Sequence, residues 1–443
     1  MSTSRTTLFT MIYKGVLSGL GFLSSAALAW ALSKADRVEF QFAGTVAQTG
    51  MTFVGGFTNY YAYALPKHPE DARGVVQTGN LFVGLASIVV LLVAGASFLA
   101  GGFGGDGDRP WRWALLCMPL TFIFGYGSRL LQAADEISWL NRVNTLQPLI
   151  FLLFVGGLFA LPYAERDAAR LTGAYAAWIA SFALAAGLTM VIAYRRLGMP
   201  HGWSWRLHPR HWRGTWQYGG WSSIAQVVNI LNYRMDFWLV YHFLPATEAS
   251  VYGIAVVASE VLLNISGSIQ SVMFRRMTGT DQRDAIAATE LSCRHTLLSS
   301  ALVAIAMFAT FPWLILVAYP GYGAAIVPFF ILLPGLVVKA ASNIVIQYAT
   351  NALGQPKTSI WMNGVSALVN AAACLILLPT LGMVGGAIAS TLSYAISFVI
   401  YIIWFGRVTR VHPSGLYRIR RTDLAPYLRM WSAVRRRFGG NPS

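Results

Sequence analysis

Charged residues are scarce in this chain: Asp, Glu, Lys and Arg make up only 11% of its 443 residues, against about 25% in soluble globular proteins. So few charges cannot solvate the surface of a soluble enzyme. An apolar content of 56% excludes an intrinsically disordered chain. Cysteine is nearly absent, and Cys117, Cys293 and Cys374 all lie in or beside apolar segments. This pattern excludes a disulfide scaffold and predicts small buried side chains.

Apolar runs of roughly 20 residues, by contrast, recur from end to end, and each is long enough to cross about 30 Å of hydrocarbon as a helix. They are too long and unbroken for barrel strands, so they predict an all-α polytopic membrane protein. The first run has no cleavage site matched to a short apolar region, which favours a retained helix over a signal peptide. We count twelve transmembrane spans, with approximate limits 8–32, 38–64, 74–101, 112–133, 144–162, 171–194, 216–243, 247–274, 291–318, 323–350, 358–379 and 383–406.

Basic residues are distributed unevenly between the two sides of these spans. Of the 33 Lys and Arg residues, 24 lie on the side of the N-terminus, 6 on the opposite side and 3 within spans. The positive-inside rule therefore predicts that both termini are cytoplasmic. The net charge of +16 is interpreted as this topology signal. Because the chain has no basic soluble module, we expect no nucleic-acid partner.

The longest polar break divides the chain into two predicted six-helix bundles. Residues 1–194 form the first bundle, 195–214 a cytoplasmic linker loop, 215–406 the second bundle and 407–443 a basic cytoplasmic tail. In the tail, apolar residues from Leu424 to Val434 recur at helical spacing among arginines. This spacing indicates an amphipathic helix on the anionic lipids of the inner leaflet, and the alternative is a frayed tail.

Signals for enzymatic chemistry are weak. The glycine-rich segment Gly101–Asp108 lacks the Gly-Lys-Ser/Thr ending of a phosphate-binding loop, so we interpret it as a solvated turn. The seven histidines form no helical metal pair, and no loop exceeds about 20 residues, which leaves no room for the catalytic element of a glycan polymerase or ligase. We expect neither an enzyme nor a bound metal or cofactor.

Charged residues inside spans are the main functional candidates, because an intramembrane charge costs several kcal/mol unless it meets a partner or a wet cavity. They are Lys14, Arg234, Asp236, Glu260 and Lys339. All except Arg234 share a helical face with polar residues, and span two has a polar face of its own. These stripes contain Ser18, Gly21 and Ser25; Thr45, Gln48, Thr52 and Asn59; Gln226, Asn229 and Tyr233; Asn264, Gly267 and Ser271; and Asn343, Gln347 and Thr350.

Five such faces predict a hydrophilic cavity between the two bundles, and the alternative is direct helix packing through hydrogen bonds. Lys339 and Glu260 should lie deepest. Arg234 points away from the polar face of Asp236, so it either reaches a neighbouring helix or extends to the interface. Lys14 is close enough to the end of its span to reach the inner interface.

Two stretches carry a family resemblance. The first runs from Trp221-Ser-Ser-Ile to Asp236-Phe-Trp-Leu, then through Val251-Tyr-Gly-Ile-Ala-Val-Val-Ala-Ser-Glu260 to Phe274-Arg-Arg-Met. The second is Ala352-Leu-Gly-Gln-Pro-Lys357 with Asn363, Asn370 and Leu378-Pro-Thr-Leu-Gly-Met-Val-Gly-Gly-Ala-Ile-Ala. Both resemble the polysaccharide-type (Wzx-like) flippases of the MOP exporter superfamily, and the first half matches mainly in layout.

The resemblance implies a MATE/MOP-like fold and a bacterial inner-membrane flippase. Such a protein moves a polyprenyl-diphosphate-linked oligosaccharide by alternating access, for surface polysaccharide synthesis, beside glycosyltransferases or a glycan polymerase. In this interpretation the diphosphate meets Lys339, Arg234 and Lys14, and Asp236 or Glu260 binds a coupling cation. The sugars contact polar side chains that include Asn343, Gln347, Gln226, Asn229 and Asn59. The alternatives are a cation-coupled multidrug antiporter of the same superfamily and a non-transporting partner of a polysaccharide assembly complex.

Overall fold

The computed structural model describes residues 3–99, 109–160, 166–199, 204–263, 282–353, 355–420 and 423. Within these ranges the chain is helical and contains no β-strand. The first half comprises α1 (Thr3–Ala31), α2 (Lys34–Lys67), α3 (Ala72–Leu99), α4 (Arg109–Ala133), α5 (Ile137–Gly157) and α6 (Arg166–Arg196). The second comprises α7 (Pro209–Gly214), α8 (Gly220–Phe243), α9 (Ala246–Glu260), α10 (Gln282–Ala318), α11 (Ile326–Gln347) and α12 (Pro356–Thr409). This architecture confirms the predicted all-α fold class.

Six of the described helical segments are long and apolar enough to cross a membrane, so the chain is a multi-pass membrane protein. They are 69–99, 110–133, 170–196, 282–318, 323–350 and 357–409. Helices α2 and α8, which carry two of the predicted polar stripes, are not among them. Helices α2 and α8 pack against each other. The polar residues that lower their hydropathy therefore lie in two adjacent helices.

Predicted spans eleven and twelve are the two helical arms of α12, which are separated at a single residue. Gly382 has φ 56° and ψ −140°, a conformation that only glycine adopts readily. It separates α12a (356–381) from α12b (383–409), close to the predicted limits. The two arms pack side by side. The Ser366 hydroxyl lies 3.2 Å from the Ser393 hydroxyl, and the Asn370 amide donates to Ser390 at 3.4 Å.

Helices α2 and α8 run antiparallel through the centre of the molecule. The rings of Phe42 and Tyr241 stack 3.9 Å apart near one end, and Asn59 donates a hydrogen bond of 2.7 Å to Ser222 near the other. Between these contacts the two backbones nearly touch at Gly56, where a Cβ atom would lie 2.1 Å from the Ser223 Cα. Small residues permit this approach, as at many helix crossings in membranes.

The linker between the halves is more ordered than the predicted loop 195–214. Its described part includes α7 and continues through a π-helical turn (Thr215–Gly219) into α8. The His211 ring is fully buried: its Nε2 lies 2.6 Å from Asp71 Oδ2 and its Nδ1 lies 3.0 Å from the Tyr60 hydroxyl. This ring therefore attaches the linker to the first half.

Replacing this ring should release the linker. His211→Ala leaves Asp71 and Tyr60 without their partner, a loss of about 1–3 kcal/mol, so trypsin cleavage after Arg206 or Arg213 should accelerate by about tenfold or more. The measurement is limited proteolysis of the protein in nanodiscs at neutral pH.

The matched control for His211→Ala is His242→Ala. The His242 side chain is exposed and lies at the end of α8 that is remote from the linker, so its removal should leave the cleavage rate unchanged. Equal cleavage of wild type and His211→Ala would show that the buried ring does not hold the linker.

The chain after α12 folds back onto α10. Asp423 accepts a hydrogen bond of 2.8 Å from Arg294 Nε, and Arg294 Nη1 also donates to the Gly415 carbonyl at 2.5 Å. Both members of this ion pair are buried. The predicted amphipathic helix from Leu424 onward lies outside the described residues, as do the glycine-rich turn 101–108 and the stripe residues of span eight from Asn264 onward.

Candidate cavity between the two halves

Polar side chains from both halves enclose a central cavity of about 560 Å³. It lies among α1, α2, α8 and α9. Its polar and charged lining consists of Ser18, Ser25, Gln48, Thr52, Gln226, Asn229, Tyr233, Arg234 and Glu260. Four of the five predicted polar faces are therefore represented, with span eight contributing Glu260, and they meet in one place.

Three further pockets extend the cavity toward both ends of the bundle. We call the end where α2 begins and α8 ends the Arg37 end, and the end where α2 ends and α12 begins the Lys357 end. A pocket of about 1140 Å³ at the Lys357 end and one of about 360 Å³ beside α4 both include Gln226. A pocket of about 270 Å³ at the Arg37 end shares Gln48 and Arg234 with the central cavity. Shared lining residues show that these spaces are adjacent, and we call the series from the Lys357 end to the Arg37 end the polar path.

The path is wide and exposed at the Lys357 end. Lys357 is solvent-exposed, and its Nζ lies 5.0 Å from the ring centroid of Trp221, which is 48% exposed. Arg129, Asn59 and Gln347 line the same pocket. An amphipathic aromatic ring beside an ammonium group is suited to a cargo that combines sugars with an anionic group.

Contacts between the halves close the Arg37 end. On one side Trp30 Nε1 donates to the Ala318 carbonyl at 2.8 Å, and Lys34 Nζ donates to the Gly321 carbonyl at 2.8 Å. Nearby, Gln41 donates to the Gly253 carbonyl at 3.4 Å. The two halves are therefore hydrogen-bonded to each other at the Arg37 end, which we call the sealed end, and the widest of the four pockets lies at the Lys357 end.

Arg234 and Glu260 form an ion pair in the wall of the central cavity. The Arg234 Nη1 donates to Glu260 Oε1 at 2.8 Å, and the two side chains are 19% and 24% exposed. Arg234 thus reaches the neighbouring helix α9, which is one of the two positions expected from the sequence. Arg234 thereby neutralises Glu260, the cavity carboxylate that the sequence predicts to lie deepest.

Asp236 lies outside the cavity, in the interior of the second half. It is 2% exposed, and its Oδ2 accepts hydrogen bonds from the Tyr252 hydroxyl at 2.5 Å and from Ser390 at 2.8 Å. Its Oδ1 accepts from the backbone N–H of Phe237 at 2.8 Å. Both carboxylate oxygens therefore have neutral donors.

Lys339 also lies away from the cavity lining, although the sequence suggests that it binds cargo. It is fully buried, and its Nζ donates to Asn363 at 3.4 Å and lies 4.8 Å and 5.6 Å from the ring centroids of Tyr233 and Tyr394. The Tyr233 ring is at once a wall of the cavity and a contact of Lys339. It separates this ammonium group from the cavity.

The remaining predicted site residues divide between these locations. Asn343 donates to the Tyr233 hydroxyl at 2.8 Å from behind the cavity wall, whereas Asn59 and Gln347 line the Lys357-end pocket. The side chain of Lys14 lies outside the described part of the chain. Sequence reasoning missed Arg37, Arg129 and Lys357 as lining residues, because each lies near a helix end and counted only as a topology signal.

Basic groups outnumber acidic ones along the path. Among the described residues that line the four pockets, the basic side chains are Arg37, Arg129, Arg234 and Lys357, and the only carboxylate is Glu260. Because Glu260 is paired with Arg234, the described lining has a net positive charge and no unpaired carboxylate.

Several solved structures with a similar fold are transporters or flippases. An inward-facing multidrug resistance MATE family transporter of the MOP superfamily superposes with a TM-score of 0.69 at 13% identity, covering 90% of this chain and 94% of that one. The lipid II flippase MurJ, in an inward closed conformation, gives a TM-score of 0.68 at 12% identity, with 90% and 86% covered. A MOP superfamily transporter from Pyrococcus furiosus gives 0.62 at 12% identity, with 92% and 95% covered.

No protein-family model and no curated protein sequence matches the chain. At 12–13% identity, the structural likeness establishes the architecture alone. The chain has the helical fold that MATE transporters share with the lipid II flippase MurJ.

Proposed function

We propose that this protein is a flippase that moves a polyprenyl-diphosphate-linked oligosaccharide across a bacterial inner membrane by alternating access. The observation that carries the proposal is the polar path between the halves, with four basic side chains and one paired carboxylate among its described lining residues. Such a lining suits a cargo with a diphosphate and many hydroxyl groups. The fold it shares with a lipid II flippase supports a lipid-linked cargo.

In this proposal the Lys357 end faces the cytoplasm, in agreement with the predicted excess of basic residues on that side. The headgroup enters between Lys357, Arg129 and Trp221, and its sugars then exchange water for the amides of Gln226 and Asn229. The polyprenyl chain stays in the lipid between the two halves. Closure of the Lys357 end and opening of the Arg37 end would release the headgroup on the other side.

We assign the coupling cation to Asp236 and not to Glu260. Glu260 is already neutralised by Arg234, whereas Asp236 accepts only from neutral donors and is buried in the second half. A proton or Na⁺ at this carboxylate would remove a buried net charge, which is costly without a partner. The driving ion and the cargo would then occupy separate places in the molecule.

Flipping should depend on the amide groups of the cavity. Gln226→Leu combined with Asn229→Leu removes two hydrogen-bonding side chains of about 1 kcal/mol each, so flipping should slow by about tenfold or more. The measurement is dithionite quenching of a fluorescent polyprenyl-diphosphate oligosaccharide in proteoliposomes. Thr310→Val with Thr380→Val is the matched control, because both hydroxyls are exposed and bond within their own helices. Equal flipping by wild type, the cavity variant and empty liposomes would refute the proposal.

The same proteoliposomes discriminate the rival functions. A multidrug antiporter would expel a cationic dye, for which the described lining offers no unpaired carboxylate. A non-transporting partner of an assembly complex would move neither cargo. Dye efflux without glycan flipping would assign the protein to the antiporters.

A further inference from the structure

Arg37 joins the two halves at the sealed end of the path. It lies in the first turn of α2 and is 3% exposed. Its Nη1 donates to the Ser250 carbonyl of α9 at 3.1 Å, and its Nη2 donates to the Ser25 hydroxyl of α1 at 3.0 Å. Its guanidinium carbon lies 5.6 Å from the ring centroid of Tyr322. One side chain thus bonds to α1 and α9 together and contacts the turn before α11.

The charge of Arg37 is not neutralised by any described carboxylate. All its described acceptors are neutral oxygens, and its Nε has no hydrogen-bond partner among the described residues. A buried arginine is normally paired with a carboxylate or a phosphate, because an isolated charge is costly to bury. Ser24, which is 6% exposed, likewise has a buried hydroxyl with no partner in the described part of the chain.

These two groups line the same pocket. The space of about 270 Å³ at the Arg37 end is bounded by Arg37, Ser24, Ser25 and Arg234, and its described lining contains no carboxylate. It is several times larger than the ~30 Å³ share of a liquid water molecule. It also shares Ser25, Gln48 and Arg234 with the central cavity. The path therefore ends in a small basic pocket, and two of its lining residues carry a buried polar atom without a described hydrogen-bond partner.

We propose that this pocket binds a phosphate-type anion, and that the anion releases the contact through which Arg37 holds the two halves together. Charge-assisted hydrogen bonds are roughly twice as strong as neutral ones. An anion in the pocket therefore competes well for the guanidinium against the Ser250 carbonyl and the Ser25 hydroxyl. When Arg37 turns to the anion, the halves lose this bond and the Arg37 end opens.

This inference rests on the proposed function in one respect: the diphosphate of the lipid-linked cargo is the anion that would reach the pocket from the central cavity. Free pyrophosphate has the same chemistry and tests the pocket without the lipid. In either case the anion must bind the open state more tightly than the sealed one, since only a differential affinity shifts an equilibrium.

A cysteine at Ser250 reports the opening. The Ser250 side chain is fully buried, and Arg37 bonds to its backbone, so Ser250→Cys preserves the contact while it adds a thiol. The native cysteines are buried, and the parent protein without the new thiol gives the background. In phosphatidylcholine nanodiscs, saturating pyrophosphate should raise the rate of maleimide labelling at this cysteine by about tenfold, a typical size for coupling between two sites.

Arg37→Gln in the same background is the control for the contact through which Arg37 joins the two halves. It should label fast without any anion and show no further response, and size-exclusion profiles and melting curves establish that it is folded. Three additions separate the sources of the anion: free pyrophosphate, a polyprenyl diphosphate in the nanodisc, and the corresponding polyprenyl alcohol. A response to either diphosphate but not to the alcohol supports the site and names its source.

The proposal fails if neither diphosphate changes the labelling rate of wild type, or if Arg37→Gln responds as wild type does. These results are independent of glycan transport. A protein that opens with pyrophosphate but flips no glycan keeps the anion site and loses the proposed cargo. If the protein flips glycan but neither diphosphate changes the labelling rate, the proposed function stands and the opening of the Arg37 end by an anion is refuted.

Discussion

Gly56→Ala is expected to destabilise the protein by about 2–3 kcal/mol, although alanine is the better helix former by about 1 kcal/mol. The added methyl group would lie 2.1 Å from the Ser223 Cα and 2.5 Å from its backbone nitrogen, so α2 and α8 must separate. Separation also stretches the bond of 2.6 Å from the Ser223 hydroxyl to the Phe53 carbonyl. The measurement is thermal unfolding of the purified protein in detergent.

The neighbouring residue provides an opposite control. Gly55 lies on the same helix, and a Cβ atom there meets nothing within 4 Å. Gly55→Ala should therefore raise the melting temperature slightly through its helix propensity, while Gly56→Ala lowers it. Shifts of the same sign and size at both positions would show that α2 and α8 do not approach each other as closely as the structure has them.

The helices could be predicted from the sequence because membrane insertion depends on local composition. Each apolar run specifies its own helix, and even the break between spans eleven and twelve agrees with the conformation of Gly382. The linker was harder to predict. The burial of His211 depends on Asp71 and Tyr60, which lie 140 and 151 residues away in the chain. No local pattern indicates such contacts.

The candidate site could be predicted only as a set of polar faces. Helical spacing shows which residues share a face, but not how far each helix is rotated against its neighbours. In α8 the part of the polar face with Gln226 and Asn229 meets the cavity, whereas farther along the helix Asp236 meets the interior of the second half. In α11 the packing of the helices places Lys339 behind Tyr233. Arg37 bonds to Ser250, 213 residues away, so its position could not be inferred from spacing.

Exchanging the two residues of the Arg234–Glu260 ion pair is expected to preserve the stability that either single change removes. Arg234→Glu places two carboxylates together in a wall that is mostly shielded from water, and Glu260→Arg does the same with two guanidinium groups. Each should cost about 3 kcal/mol or more, because a largely buried charge loses its partner and gains a like charge. Melting curves of the two single variants and of the double exchange measure this loss and its recovery.

The double exchange also tests the assignment of roles between Glu260 and Asp236. If Arg234 and Glu260 only neutralise each other, Arg234→Glu with Glu260→Arg restores the 2.8 Å ion pair with reversed polarity, and both stability and glycan flipping return. If Glu260 itself binds a coupling cation or a cationic cargo, stability returns but transport does not. Recovery of stability alone would thus show that Arg234 or Glu260 acts in transport beyond the ion pair, whereas recovery of both keeps the coupling site at Asp236, where two hydroxyl donors and no described basic partner hold the carboxylate.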